Sequence, residues 1–189
     1  NEQQLTEFDR VMAQLPETVA QTCANSAAII SMPNATRDWV RPGIALYGIA
    51  PFAADCGNTL IDTRCKALRP VMTLQAQVLS IRELMTGEST GYNRSWIAER
   101  PSKLAYIACG YADGYPITAT NKTYAWVNGA RAPIVGRVSM DTLAVDITEI
   151  TTPVQMGDYV ELWGEHIAAT EIATAAGTIA YELFTSVST

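Results

Sequence analysis

"YAWVNGARAPIVG", residues 124–136, carries Asn128-Gly129 between two apolar, β-branched flanks. A two-residue hairpin needs left-handed backbone at both turn positions, and Asn-Gly supplies it at least cost. The stretch therefore reads as two antiparallel strands and sets the class of everything around it. Upstream, "VMTLQAQVLSIREL" (71–84) alternates partially, with residues 72, 74, 76 and 78 on one apolar face. "MTGEST" reads as a turn, and "KLAYIACGY" (103–111) as a buried strand ending at a tyrosine. Downstream, "VSMDTLAVDIT" (138–148) reads as a strand pair or one bent strand, and "QMGDYVELWG" as a turn feeding a strand. "TEIATAAGT" and "IAYELFTSV" read as two short helices around Gly177, with Thr178 placed to cap the second. The expected fold class is mainly β: a small barrel or twisted antiparallel sheet with a helical tail.

The first third differs. "QLTEFDRVMAQL" (4–15) has apolar residues at 5, 8, 11, 12 and 15, the spacing of a helix, and Pro16 stops it. "TVAQTCANSAAII" and "DWVRPGIALYGIAPF" follow as short apolar segments, the second with "IALYGIA" as an apolar run. Together they give a helix, strand, loop, strand rhythm. Such a piece cannot close a sheet and leaves strand edges unpaired. The polar, turn-rich "FAADCGNTLIDTRCKA" marks the boundary, and we expect an α/β remnant over 1–60 and a β domain over 61–189. The start at Asn1 and the stop inside "LFTSVST" suggest a piece of a longer protein.

Composition narrows the function. The 189 residues are 48% hydrophobic and 17% charged, with a net charge of -6. An acidic chain without a basic block does not suit nucleic acid, whose phosphates need clustered Lys and Arg. No apolar run is long enough to span a bilayer and no secretory leader is seen, so no membrane partner is expected. Four cysteines without a Cys-x-x-Cys pair, and one histidine, give no metal site. Spacing allows a Cys56–Cys65 disulfide. Reduced thiols in a cytoplasm are the expectation, with Cys23 and Cys109 buried. His166, in "WGEHIAAT", is taken as a surface residue.

Six ordered segments resemble the alanine racemase family: "CANSAA" (23–28), "WVRPGIALYG" (39–48), "GYADGYP" (110–116), "VNGARAPIVGRVSMD" (127–141), "MGDYVELWG" (156–164) and "AYEL" (180–183). The resemblance covers essentially the whole chain. It implies the tail of a (β/α)8 barrel followed by the family's β domain, pyridoxal 5'-phosphate as cofactor, and racemisation of alanine in a homodimer whose active sites are shared between subunits. It would place the protein in the supply of D-alanine for peptidoglycan.

By the same resemblance Tyr111 is a catalytic base. Racemisation removes a proton from one face of the α-carbon and returns one to the other, so two groups must face each other across it. A free phenol titrates near about 10 and needs a neighbouring charge or donor to act at neutral pH. Gly110 would let the backbone approach the ligand, and Asp113-Gly114 would fix the turn that aims the ring. The alternative is a packing tyrosine at a strand end. The resemblance also makes Arg41 the partner of the cofactor's pyridine nitrogen, which stays unprotonated because arginine accepts no proton. It assigns Ser26 and the backbone N–H groups at Gly43 and Ile44 to the phosphate, and the Met140 N–H to the substrate carboxylate. Arg137 and Asp141 flank Met140 and could line the way in. A surface arginine, a turn serine and a core methionine are the plain alternatives.

The family's cofactor-carrying lysine matches no segment here, nor does the histidine that supports its tyrosine. No tyrosine follows Tyr181 in the place of the family's C-terminal phosphate tyrosine. The chain alone is therefore expected to be inactive. A serine or broad-specificity racemase, and a β-barrel binding module without catalysis, remain as other readings.

Overall fold

The computed structural model describes residues 1–52 and 57–188. Two compact units divide the chain, Asn1–Val71 and Met72–Thr189.

In the first unit, α1 (Glu2–Met12) stops ahead of Pro16. β1 (Thr22–Asn25) runs directly into α2 (Ser26–Ser31), because the Asn25 carboxamide oxygen accepts the Ala28 N–H at 3.0 Å and caps the helix. β2 (Trp39–Arg41) pairs with β1 in parallel, with Arg41 opposite Asn25. "IALY" is not an apolar strand as expected: Ile44–Tyr47 is a 3-10 helix. It buries Ile44 and exposes Leu46 and Tyr47, and Gly48 ends it in left-handed backbone (φ 81°). A β-carbon at Gly48 would stand 1.7 Å from the Arg69 carbonyl oxygen, so only glycine fits there. α3 (Thr59–Lys66) is capped by Asn58, whose side-chain oxygen accepts the N–H groups of Leu60 and Ile61. Arg64 of α3 donates to the Ile30 carbonyl at 2.6 Å and ties the helix to α2 within the first unit. A Cys56–Cys65 bridge lies outside the described residues, since Cys56 is not among them. Cys23 is half-buried, with its thiol donating to the Ala35 carbonyl.

In the second unit, β3 (Leu74–Leu84), β4 (Ser89–Thr90), β5 (Trp96–Ile97), β6 (Ser102–Ile107), β7 (Tyr124–Val127), β8 (Ala130–Val135), β9 (Leu143–Asp146) and β10 (Tyr159–Trp163) precede α4 (Ala169–Ala176) and α5 (Ala180–Ser186). Six strands close an antiparallel barrel in the order β10-β3-β6-β9-β8-β7, and β4 pairs with β5 beside it. The expected β barrel is thus closed. Asn128 (φ 45°) and Gly129 (φ 94°) join β7 to β8 with both turn residues left-handed, as the hairpin reading requires. The Asn128 carboxamide also donates to the Pro153 carbonyl and the Asp158 carboxylate. β3 turns Leu74, Ala76 and Val78 inward. A register shift follows between Val78 and Ser80, and Leu84 at the end of β3 packs in a separate cluster with Ala98, Leu104, Val135 and Ala144. "VSMDTLAVDIT" yields one strand, β9, preceded by a loop over 138–142.

Trp163 stacks on Tyr115 with ring centroids 6.1 Å apart, and Ile167, Ile172 and Leu183 are fully buried under the two helices. Burying each such aliphatic side chain contributes about 1.5–3 kcal/mol. Thr178 does not cap α5: the N-cap is Ile179, and the Thr178 hydroxyl donates to the Glu182 carboxylate. Among the described residues no helix is long and apolar enough to cross a membrane, and no group of metal-ligating side chains occurs.

Candidate active-site residues

The residues singled out from the sequence fall into two groups, one in each unit. In the first unit, Ser26 opens α2 at the end of β1, and Gly43 follows Arg41 at the end of β2. Parallel pairing puts both strand ends side by side. The Ser26 hydroxyl, 4% exposed, accepts the N–H groups of Gly43 (2.8 Å) and Ala45 (3.3 Å). It thereby locks the start of the 3-10 helix onto the start of α2. Between those two donors the Ile44 N–H meets no acceptor among the described residues, while the Ile44 side chain is buried. A β-carbon on Gly43 would meet nothing within 4 Å, so the backbone there faces open space. Arg41 is exposed, and its guanidinium donates to the Thr22 hydroxyl at 2.9 Å. An unmet N–H, a hydroxyl, a guanidinium and an open backbone face form a donor set suited to an anionic ligand.

In the second unit, Tyr111 begins a 3-10 turn, Tyr111–Asp113, just after β6. The N–H groups of Tyr111 and Ala112 donate to the carbonyls of Ser139 and Met140, both at 3.0 Å. Tyr111 and Met140 are thereby brought together, 43% and 53% exposed. Among the described residues the Met140 N–H meets no acceptor, so a donor stays available beside the phenol. The Asp113 carboxylate accepts the Gly110 N–H at 2.8 Å and Gly114 is left-handed (φ 100°), as the turn reading expects. The role expected for Gly110 is corrected. Its missing side chain makes room not for a ligand but for the carbonyls of Met140 and Ser139, 2.2 and 2.4 Å from a β-carbon built there.

Arg137 and Asp141 are exposed on either side of the Met140 loop, and the Arg137 backbone N–H donates to the Ser95 hydroxyl. Cys109, directly before the turn, is buried; burial and then the nearby Asp113 carboxylate push its thiol up to about 12. His166 is exposed, as expected, yet firmly held. Its ring stacks on Trp126 at 4.4 Å between centroids, and Nδ1 lies 2.9 Å from Glu161. The sequence reading missed Ser188, whose hydroxyl reaches the Ala112 carbonyl across 76 positions of chain; no local pattern signals a contact of that range.

Residues 71–189 match the family profile "Alanine racemase, C-terminal domain", and residues 1–51 match "Alanine racemase, N-terminal domain". The chain belongs to the alanine racemase family. The chain is 47% identical over 184 residues to the alanine racemase of Stutzerimonas stutzeri (strain A1501), covering 96% of itself and 49% of that protein. It is similar to the crystal structure of the biosynthetic alanine racemase of Pseudomonas aeruginosa, with a TM-score of 0.82 and 44% identity over 99% of this chain and 50% of that one. It is also similar to the alanine racemase of Bartonella henselae with covalently bound pyridoxal phosphate, with a TM-score of 0.85, 40% identity, and coverage of 100% and 50%. The chain spans about half the length of the curated relatives it matches.

Proposed function

We propose that this chain forms the C-terminal half of an alanine racemase that interconverts L- and D-alanine with pyridoxal 5'-phosphate. The observation that carries this reading is the pairing of Tyr111 with the unmet Met140 N–H at the end of β6, within the stretch that matches the family's C-terminal domain. The donor set of the first unit fits the cofactor. The Ser26 hydroxyl and the unmet Ile44 N–H would hold its phosphate, beside the Gly43 N–H that here donates to Ser26, and Arg41 would donate to its pyridine nitrogen without protonating it. When bound, the cofactor draws electron density from the α-carbon and acidifies its C–H bond.

The chain's own residues then have distinct tasks. The Met140 N–H would hold the substrate carboxylate and fix which face of the α-carbon meets the Tyr111 phenol. The Tyr111 oxygen would take the proton from L-alanine and return one to the same face in the reverse direction. The opposite face belongs to the family's lysine, whose motif no segment here matches, so the chain by itself would not racemise. We place the complete enzyme in the cytoplasm as a homodimer that pools Tyr111 and Met140 of one subunit with the cofactor site of the other, supplying D-alanine for peptidoglycan.

Tyr111→Phe in the full-length enzyme tests this reading. Exchange of the L-alanine α-proton with solvent deuterium should fall by roughly 100- to 10,000-fold, the range positioned acid–base groups supply. Exchange from D-alanine should survive better, while net racemisation falls equally in both directions because the equilibrium constant is fixed by the substrates. Wild-type exchange of both enantiomers in a folded mutant would make Tyr111 a packing residue.

A further inference from the structure

Tyr111 is 43% exposed, so side-chain packing does little to fix its aim. The backbone must do so, and its hydrogen bonds can be followed group by group. The Gly110 N–H donates to the Asp113 carboxylate. The N–H groups of Tyr111 and Ala112 donate to Ser139 and Met140. Those of Asp113 and Gly114 close the turn on the carbonyls of Gly110 and Tyr111, each at 3.2 Å. The carbonyls of Ala112 and Asp113 take no part in these bonds, and Ser188 meets both. Its hydroxyl donates to the Ala112 carbonyl at 3.2 Å and its backbone N–H to the Asp113 carbonyl at 3.3 Å. A steric contact lies alongside. A β-carbon on Gly114 would stand 2.4 Å from the Ser186 carbonyl oxygen, so the turn and the end of α5 touch main chain to main chain.

We propose that the segment 186–188 is a clasp that positions Tyr111, with Ser188 as its positioning residue and Gly114 as the gap that lets it seat. The 139–140 loop holds the turn from one side and the clasp from the other. Ser188 touches no reacting atom; it acts through the carbonyls of Ala112 and Asp113, which flank the Asp113 residue. The proposal rests on the reading of Tyr111 as the proton-transferring group.

Three variants of the full-length racemase test it. Ser188→Ala removes one of the two donors, Ser188→Thr keeps both, and Ser188→Pro removes both. Val187, at φ -64° and ψ 122°, already has the extended backbone that a following proline requires. Ser188→Ala should slow α-proton exchange from L-alanine by roughly 2- to 10-fold, the factor carried by one neutral hydrogen bond. Ser188→Pro should slow it by on the order of 100-fold, as a misplacement of about an ångström does. D-alanine exchange and KM should stay near wild type, and Ser188→Thr should restore the rate. A second readout needs no catalysis: amide hydrogen exchange over 110–115 should accelerate in Ser188→Pro while β3 and β6 keep their protection. The clasp is overturned if Ser188→Pro keeps wild-type exchange from L-alanine and wild-type amide protection. It is equally overturned if the rates for both enantiomers fall together. Should Tyr111→Phe leave both rates at wild type, the role of the phenol fails, while the amide measurement still decides whether 186–188 holds the turn.

Discussion

A β-carbon built on Gly110 would stand 2.2 Å from the carbonyl oxygen of Met140. The backbone at Gly110 is extended (φ -141°), a conformation open to any residue, so the obstacle is purely steric. We expect Gly110→Ala to push the Tyr111 turn away from the 139–140 loop and to destabilise the second unit by about 1–3 kcal/mol, as overpacking does. The midpoint of urea unfolding measures it. An unchanged midpoint would mean that the two backbones do not lie so close in solution.

Gly43 is the opposite case. Nothing lies within 4 Å of its missing β-carbon. Gly43→Ala should therefore leave stability within about 0.5 kcal/mol, as surface substitutions away from special features do. In the full-length enzyme the added methyl should occupy the face assigned to the phosphate and weaken pyridoxal phosphate binding. Equilibrium dialysis of the cofactor, run beside urea unfolding, separates the two effects. Unchanged affinity would remove Gly43 from the cofactor site.

The Cys109 thiol should resist modification by a thiol reagent at neutral pH in the folded protein and react once urea exposes it. Burial, followed by the Asp113 charge, raises its titration from an ordinary value of 9 to about 12. The folded state thus holds this proton more tightly than the unfolded one. The stabilisation is complete below about pH 9 and drains away as the pH climbs toward 12. Cys109→Ala should flatten that alkaline decline in thermal scans; an unaltered slope would show that other groups carry it.

Glu161 makes the reverse prediction. Burial pushes its carboxyl up, but hydrogen bonds from the His166 ring and from the backbone N–H groups of Ile167 and His166 more than offset this, and the net direction is down. A depressed acid stabilises the fold above its ordinary value of 4.5, and the stabilisation is lost as the pH falls through the folded value. Glu161→Gln should cost about 1–3 kcal/mol near neutrality, since it unpairs partly buried donors. It should also lose part of the acid-side slope. A mutant that follows the wild-type acid profile would show the network to be weak.

Elements encoded by neighbours in sequence were legible. Asn128-Gly129 announces its hairpin because the turn's dihedrals are a property of those two residues. The helix around Phe8 follows from spacing alone. The Tyr111 turn and its neighbour Met140 came into view through several motifs in order, which no single pattern would have supplied. What escaped was set by partners outside each motif, some of them far along the chain. "IALY" has the composition of a strand but forms a 3-10 helix that ends at Gly48, against the Arg69 carbonyl. The Thr178 hydroxyl was placed as a cap and instead donates to Glu182. His166 carries no motif, and only the arrival of Trp126 and Glu161 from other strands gives it a fixed place.

Closure of the barrel also dictates a timetable. Leu74 near the start of β3 finds its register partner in Trp163 at the end of β10, and β10 alone bridges β3 to β7. During synthesis at about 5–20 residues per second, β3 waits several seconds for that partner to leave the ribosome. Until then the β3 edge that β10 will cover stays open, although β6, β7, β8 and β9 have already emerged. A late-arriving strand makes this a slow, non-local fold, in the millisecond-to-second class at best. Ribosome-bound intermediates stalled before Tyr159 should be the forms that a chaperone or a protease meets first.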